Sequence, residues 1–341
     1  MTRRGLVLGG GGVLGAAWTV GAVTALEQVH GLDAREFDEL VGTSAGSVVA
    51  SLLASGVSIA DLRTHQLGGR VTSGPLADLE WDHDTATGGE RPPTPKVEFA
   101  VPGVLRKGFK HWRQLPPSAV ISSFMPIGQG SIHQVGLLVR HVVPSGWVDR
   151  PGLTVVAFDI DSATRTAFGR PDAPRVDLAE AVMASCAIPS WYQPVTIDGR
   201  RYVDGGAWSA TNLDLLQGLD LDEVYVLAPG VTFDPDTPTR VMTKLERRWR
   251  ARSTARCLRE MRAVHQGGTH VTVLGPSRTD LEVMGHNVMD VARRTEVLET
   301  SLHTSLASLG APHVLDLGSP ELAHDDVTAY IGSDDPEREL A

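Results

Sequence analysis

Phe37-Asp38-Glu39-Leu40-Val41-Gly42-Thr43-Ser44-Ala45-Gly46-Ser47-Val48-Val49-Ala50 is the stretch on which the rest of the chain is organised. Phe37, Leu40 and Val41 read as the end of a strand. Val48, Val49, Leu52 and Leu53 recur at helical spacing, and Gly56 falls where a left-handed residue stops a helix. A strand, a sharp turn and a helix with Ser44 at the turn is the context in which G-x-S-x-G signifies a nucleophile elbow. The flanking Gly42 and Gly46 let backbone crowd backbone, so the hydroxyl stands clear and the helix N-terminus points donors at developing negative charge. A capped helix start accounts for the same five residues, so the chemistry needs support from elsewhere in the chain.

That support begins upstream. Leu6, Val7 and Leu8 form a short all-apolar strand, the pattern of a central parallel strand covered on both faces. Gly9 to Gly12 form a turn, and Ala16 to Gln28 a helix carrying Trp18, Val20, Val23 and Leu26. Gly10-x-Gly12-x-x-Gly15 fits the dinucleotide fingerprint, but the next strand ends in the Ser44 turn where a ribose-binding carboxylate is required. A phosphate-binding P-loop fits worse, because Ala16-Ala17 stand where Lys and Ser or Thr are needed. Successive backbone N–H groups at a helix N-terminus also make an anion hole, one βαβ unit before the serine, where acyl transfer needs its oxyanion donors. Arg3-Arg4 ahead of the uncharged run Gly5 to Leu26 hints at an export signal. However, seven glycines in those twenty-two residues break a continuous helix, so the run reads as strand, loop and helix of the fold.

Downstream, regular alternation fades from about residue 65 to 147. Prolines punctuate that stretch, and Arg106, Lys107, Lys110, His111 and Arg113 mingle with Phe109 and Trp112, the composition of an inserted cap, either a substrate-gating lid or a loosely structured excursion without function. Order returns with Leu153 to Phe158, ending in Asp159. Asp177-Leu178-Ala179-Glu180 then caps a helix through Met183 to Cys186 that Pro189 stops. Val195 to Ile197, the turn Asp198-Gly199, and Arg201 to Val203 make a hairpin that delivers Asp204-Gly205-Gly206. Val224 to Ala228 and Val271 to Leu274 are further buried strands. Arg240 to His265 reads as a basic amphipathic helix of charge +7, either a membrane-surface patch or a solvated helix on an acidic body. Residues 332–341 form an acidic tail.

A serine hydroxyl needs a base within reach. His265, His270, His286, His303 and His313 all fall in helical or loop contexts, none at a convincing strand end. Asp204 ends a strand, and the two glycines after it allow close approach. A carboxylate whose pocket desolvates it can take the proton without a histidine.

Gly10-Gly11-Gly12-x-x-Gly15, Gly42-Thr43-Ser44-Ala45-Gly46, Ala184-Ser185-Cys186-Ala187-Ile188-Pro189 and Asp204-Gly205-Gly206, in that order, resemble the motifs of the patatin-like phospholipase family. The resemblance covers residues 5 to about 215. It implies an α/β fold, a three-layer α/β/α sandwich with a mostly parallel central sheet, spanning residues 1–331 with the cap inserted. By that similarity Ser44 is the nucleophile, Asp204 the general base, and the Gly10, Gly11 and Gly12 backbone the oxyanion hole. Gly15, Gly42, Gly46, Gly205 and Gly206 support the turns, and no metal or cofactor is required. The activity so implied is hydrolysis of lipid acyl esters, as a phospholipase A, lysophospholipase or lipid esterase. An acyltransferase using the same acyl-enzyme and a non-catalytic dinucleotide-binding protein are the alternatives. Leu14 stands where many members carry Arg or Lys, which bears on headgroup preference more than on the reaction.

Bulk properties agree with this. A chain of 341 residues with 42% apolar and 21% charged content builds a large soluble core. A net charge of −10 argues against general nucleic-acid binding, and two cysteines suit a reduced, cytoplasmic compartment. Lipid or another acyl ester is the expected partner, with peripheral contact to anionic membranes.

Overall fold

Near-continuous apolar runs along short strands dictate a sheet buried on both faces, and that sheet organises the computed structural model. Residues 2–83, 96–99, 115–310 and 315–317 are described. The strands are β1 (Arg4–Leu8), β2 (Glu39–Thr43), β3 (Lys96–Phe99), β4 (Pro126–Ile127), β5 (Leu153–Asp159), β6 (Thr164–Phe168), β7 (Val195–Ile197), β8 (Arg200–Asp204), β9 (Glu223–Leu227), β10 (His270–Leu274) and β11 (Leu315–Leu317). The helices are α1 (Gly12–His30), α2 (Ala45–Ala54), α3 (Ile59–Gln66), α4 (Pro117–Phe124), α5 (His133–Val142), α6 (Leu178–Ser185), α7 (Val241–His265), α8 (Arg278–Met284) and α9 (Arg294–Leu309).

The main sheet runs β11-β10-β9-β1-β2-β5-β8-β7, with β6 also paired to β5. Its five central strands, β10, β9, β1, β2 and β5, are mutually parallel, and antiparallel strands close both sides. Strict alternation splits the core into two layers. Leu6, Leu8, Leu40, Val155 and Leu227 face α1, α2, α5 and α6, while Val7, Val41, Val156, Val224 and Val226 face α7. The outcome is the α/β/α sandwich expected from the sequence. Because β1, β2 and β9 are parallel, the chain leaves all three at one edge of the sheet, so Gly9, Ser44 and Ala228 emerge side by side.

Several boundaries differ from expectation. Helix α1 begins at Gly12, four residues before Ala16, because Gly12 takes a left-handed φ of +64° and Gly15 nestles against Pro229. The Asp198-Gly199 turn has positive φ at both positions, the hairpin geometry that D-G favours. His270 opens β10 instead of lying in a loop, at the sheet edge opposite Ser44. Helix α5, from the stretch read as a cap, contributes Val135, Leu138 and Val139 to the main core. The basic cluster Arg106, Lys107, Lys110, His111 and Arg113, His313, and the acidic tail 332–341 lie outside the described residues.

Candidate active site

Ser44 caps β2 in a strained backbone conformation, φ +53° and ψ −127°, a region costly for any residue with a side chain. The surroundings over-determine it. The Ser44 N–H donates to Ser185 Oγ at 2.9 Å, and Ser185 Oγ donates in turn to the Val156 carbonyl at 2.6 Å. The Ser44 carbonyl accepts from Ser47 N at 2.8 Å and from Ser47 Oγ at 2.6 Å. The flanking glycines are steric necessities. A Cβ at Gly42 would lie 2.4 Å from Ser47 Cα, and one at Gly46 would lie 2.0 Å from the Leu8 carbonyl oxygen.

Asp204 arrives at the same point from β8. The residue is buried, its N–H donates to Ala187 O at 2.9 Å, and its Oδ1 accepts from Gly206 N at 2.7 Å. Burial pushes the Asp204 carboxyl up to about 6, against the pull of hydrogen bonds from the Ser44 side chain and the Gly206 amide. Serine and carboxylate are thus brought into contact from positions 160 residues apart in the chain. Gly205 fits because a Cβ there would meet Val156 O at 2.3 Å. Cys186 lies beside the pair, its thiol pushed far up by burial and then by the Asp204 charge.

The glycine loop passes over Ser44, since a Cβ at Gly10 would approach Ser44 Cβ to 3.1 Å. One expected donor is committed elsewhere: the Gly10 N–H donates to Ala210 O at 2.9 Å. Gly11 and Gly12 have no acceptor for their N–H groups among the described residues, and neither does Ala45, the first residue of α2. Pro229 supports the loop from below, against Gly11 and Gly15. The Leu14 side chain is fully buried, so a cation at that position would point into the core.

Three supporting groups carried no role in the sequence reading. Ser185 lies inside a quoted motif, and only the fold shows that its hydroxyl pins the serine backbone. Asn212 adopts a left-handed conformation and donates from Nδ2 to Thr43 Oγ1 at 3.0 Å, while Arg165 bridges its Oδ1 to Asp214. Asparagine eight residues after the aspartate was the available signal, since Asn tolerates that region. His65 is the third. Burial, then His83 and Arg294, hold its ring down to about 4, so it is neutral at neutral pH.

Ser44 opens into a cavity of about 90 Å³ between α1, α2, α3 and α5. Val20, Val49, Leu52, Leu62, Val135 and Leu138 make its walls apolar, with His65, His83 and Arg294 as a polar margin. Among the described residues no group of three His, Cys, Asp or Glu side chains is arranged to hold a metal ion. No helix among them is long and apolar enough to cross a membrane.

A family profile described as Patatin-like phospholipase matches residues 6–216. Comparison with curated proteins gives no match. Among solved structures, the chain is similar to VipD from Legionella pneumophila at 14% identity and a TM-score of 0.42, over 94% of this chain and 69% of that one. It is also similar to the type III effector protein ExoU at 15% identity and a TM-score of 0.35, over 97% of this chain and 59% of that one.

Proposed function

The chain belongs to the patatin-like phospholipase family, and from that premise we propose that it is a serine acyl hydrolase acting on lipid esters, with Ser44 as nucleophile and Asp204 as general base. The observation that carries the proposal is a serine side chain that acts on a buried carboxyl raised to about 6, and that lines an apolar cavity. At neutral pH such a carboxyl is ionised yet far more basic than a solvated one, which suits proton abstraction.

In the first step Asp204 takes the Ser44 proton as Oγ bonds to the ester carbonyl carbon. The carbonyl oxygen becomes an oxyanion, which the free amides of Gly11, Gly12 and Ala45 are suited to stabilise at two adjoining helix N-termini. Collapse breaks the bond to the alcohol, which leaves with the proton from Asp204. Water then attacks the acyl-enzyme with Asp204 again as base, releasing a fatty acid and restoring Ser44. The acyl chain lies along the α2 wall of Val48, Val49 and Leu52. Residues 1–331 act as one catalytic domain, and contact with an anionic lipid surface is peripheral.

Fatty-acid release from a panel of glycerophospholipids and lysophospholipids, measured for the wild type and Ser44→Ala, tests this reading. Release by the wild type alone supports it; equal release by the variant, or none by either, overturns it. Adding an alcohol acceptor separates hydrolysis from acyl transfer through the identity of the product.

A further inference from the structure

Seven of the nine cations from Arg240 to Arg262 divide into two populations. On the inner side Arg247 pairs with Asp236 at 2.6 Å, Arg250 with Glu246 at 2.8 Å and Arg256 with Glu260 at 2.9 Å. On the outer side Arg240, Lys244, Arg248 and Arg252 are exposed, and none has a carboxylate within 4 Å among the described residues. Their spacing of four places them on a single ridge. One residue further on runs a second ridge, Val241, Leu245 and Trp249, exposed to 79%, 60% and 42%, with Met242 beside it at 61%. A soluble helix resting on an acidic body has no reason to carry large apolar side chains beside unpaired cations. An interfacial helix has both, because one ridge enters the acyl boundary while the other meets anionic headgroups.

Position reinforces this. Arg250 and Trp249 meet Pro229 and Gly230, just past the end of β9, so the N-terminal half of α7 stands at the sheet edge that carries Ser44, while Cys257, Leu258, Met261 and Val264 bury its C-terminal half against the sheet. Gly230 is sandwiched between the two sites: a Cβ there would meet the Gly10 carbonyl oxygen at 3.2 Å and the Trp249 ring at 3.3 Å. Arg250 donates to the Pro229 carbonyl, and Pro229 packs under Gly11 and Gly15. With a net charge of −10 the chain as a whole is repelled by an anionic bilayer, so a local cationic ridge also sets the orientation of docking.

We propose that the ridges Arg240-Lys244-Arg248-Arg252 and Val241-Leu245-Trp249 form a docking surface for anionic lipid bilayers. Docking brings the sheet edge that carries Ser44 to the surface from which substrate is drawn. The proposal rests on the lipid-hydrolase reading for its substrate, and on the two ridges alone for its surface.

The test uses the full chain with vesicles of phosphatidylcholine alone and of phosphatidylcholine and phosphatidylglycerol in equal parts. Binding is read by sedimentation, turnover by fatty-acid release and by a soluble short-chain ester, and solution mass by light scattering. The wild type binds the mixed vesicles, less so as salt is raised. Met242→Ser/Leu245→Ser and Lys244→Glu/Arg248→Glu each weaken that binding by roughly tenfold or more and slow vesicle hydrolysis equally, while soluble-ester turnover is unchanged. Binding that is indifferent to both double variants, or equal on phosphatidylcholine alone, overturns the proposal. A dimer that the apolar variant dissolves does so too, by assigning the ridge to a second copy. Ser44→Ala retains full vesicle binding. If the wild type turns over no ester yet binds through the ridges, the hydrolase reading fails and the docking surface stands.

Discussion

Replacing Asp204 with Asn trades activity for stability, and the size of the trade follows from the carboxyl's environment. Its ordinary value is 3.8 and its folded value about 6. A raised carboxyl contributes stability that is fully present below the unfolded value and lost as pH rises through the folded one. The wild type therefore loses up to about 3 kcal/mol between pH 4 and 6 from this group, and carries that deficit at neutral pH. Asp204→Asn keeps an oxygen for the Gly206 amide and carries no charge, so it has no such slope. For 341 residues, 3 kcal/mol corresponds to about 4 °C in the unfolding midpoint. Thermal unfolding followed by tryptophan fluorescence should show the variant near the wild type at pH 4 and higher at pH 7.5, with ester turnover abolished. Wild-type turnover should fall as pH drops through about 6, where the base protonates. An equal midpoint difference at both pH values, or a variant that still turns over ester, refutes the reasoning.

Other perturbations probe the scaffold around the pair. Ser185→Ala removes the acceptor that holds the Ser44 N–H, and should lower kcat about tenfold with KM little changed; Ser185→Thr, which restores a hydroxyl, should recover part of it. Leu52→Phe narrows the cavity at its α2 wall and should shift the preferred acyl length of a p-nitrophenyl ester series downward, and an unmoved profile counts against the α2 wall as the acyl site. Gly46→Ala puts a methyl 2.0 Å from Leu8 O and should cost more than about 3 kcal/mol, read as a collapse of the unfolding midpoint.

How much of this was legible in the sequence depends on the range of the interactions involved. The strand, turn and helix around Ser44 are local, so apolar spacing and two glycines sufficed, and the Asp198-Gly199 hairpin pointed to Asp204 for the same reason. The all-apolar strand Leu6 to Leu8 announced a central parallel strand covered on both faces, while the three-layer sandwich came with the family resemblance. The glycine loop was legible as a cradle but not donor by donor. Gly10 gives its N–H to Ala210, a partner 200 residues away that no local pattern announces. Ser185 and Asn212 were missed because both act across the sheet on the residues of the Ser44 turn. Nor could composition divide the cations of α7 into paired and unpaired ridges, since Asp236 and Pro229, which fix its inner side, lie outside the helix.

The central claim is that Ser44 is activated by Asp204. Reaction with a fluorophosphonate followed by mapping of the modified residue by mass spectrometry tests it most directly. A single adduct on Ser44 in the wild type, absent in Asp204→Asn, is the outcome the account predicts. Modification of a different residue, or equal labelling of Ser44 in both proteins, would contradict it.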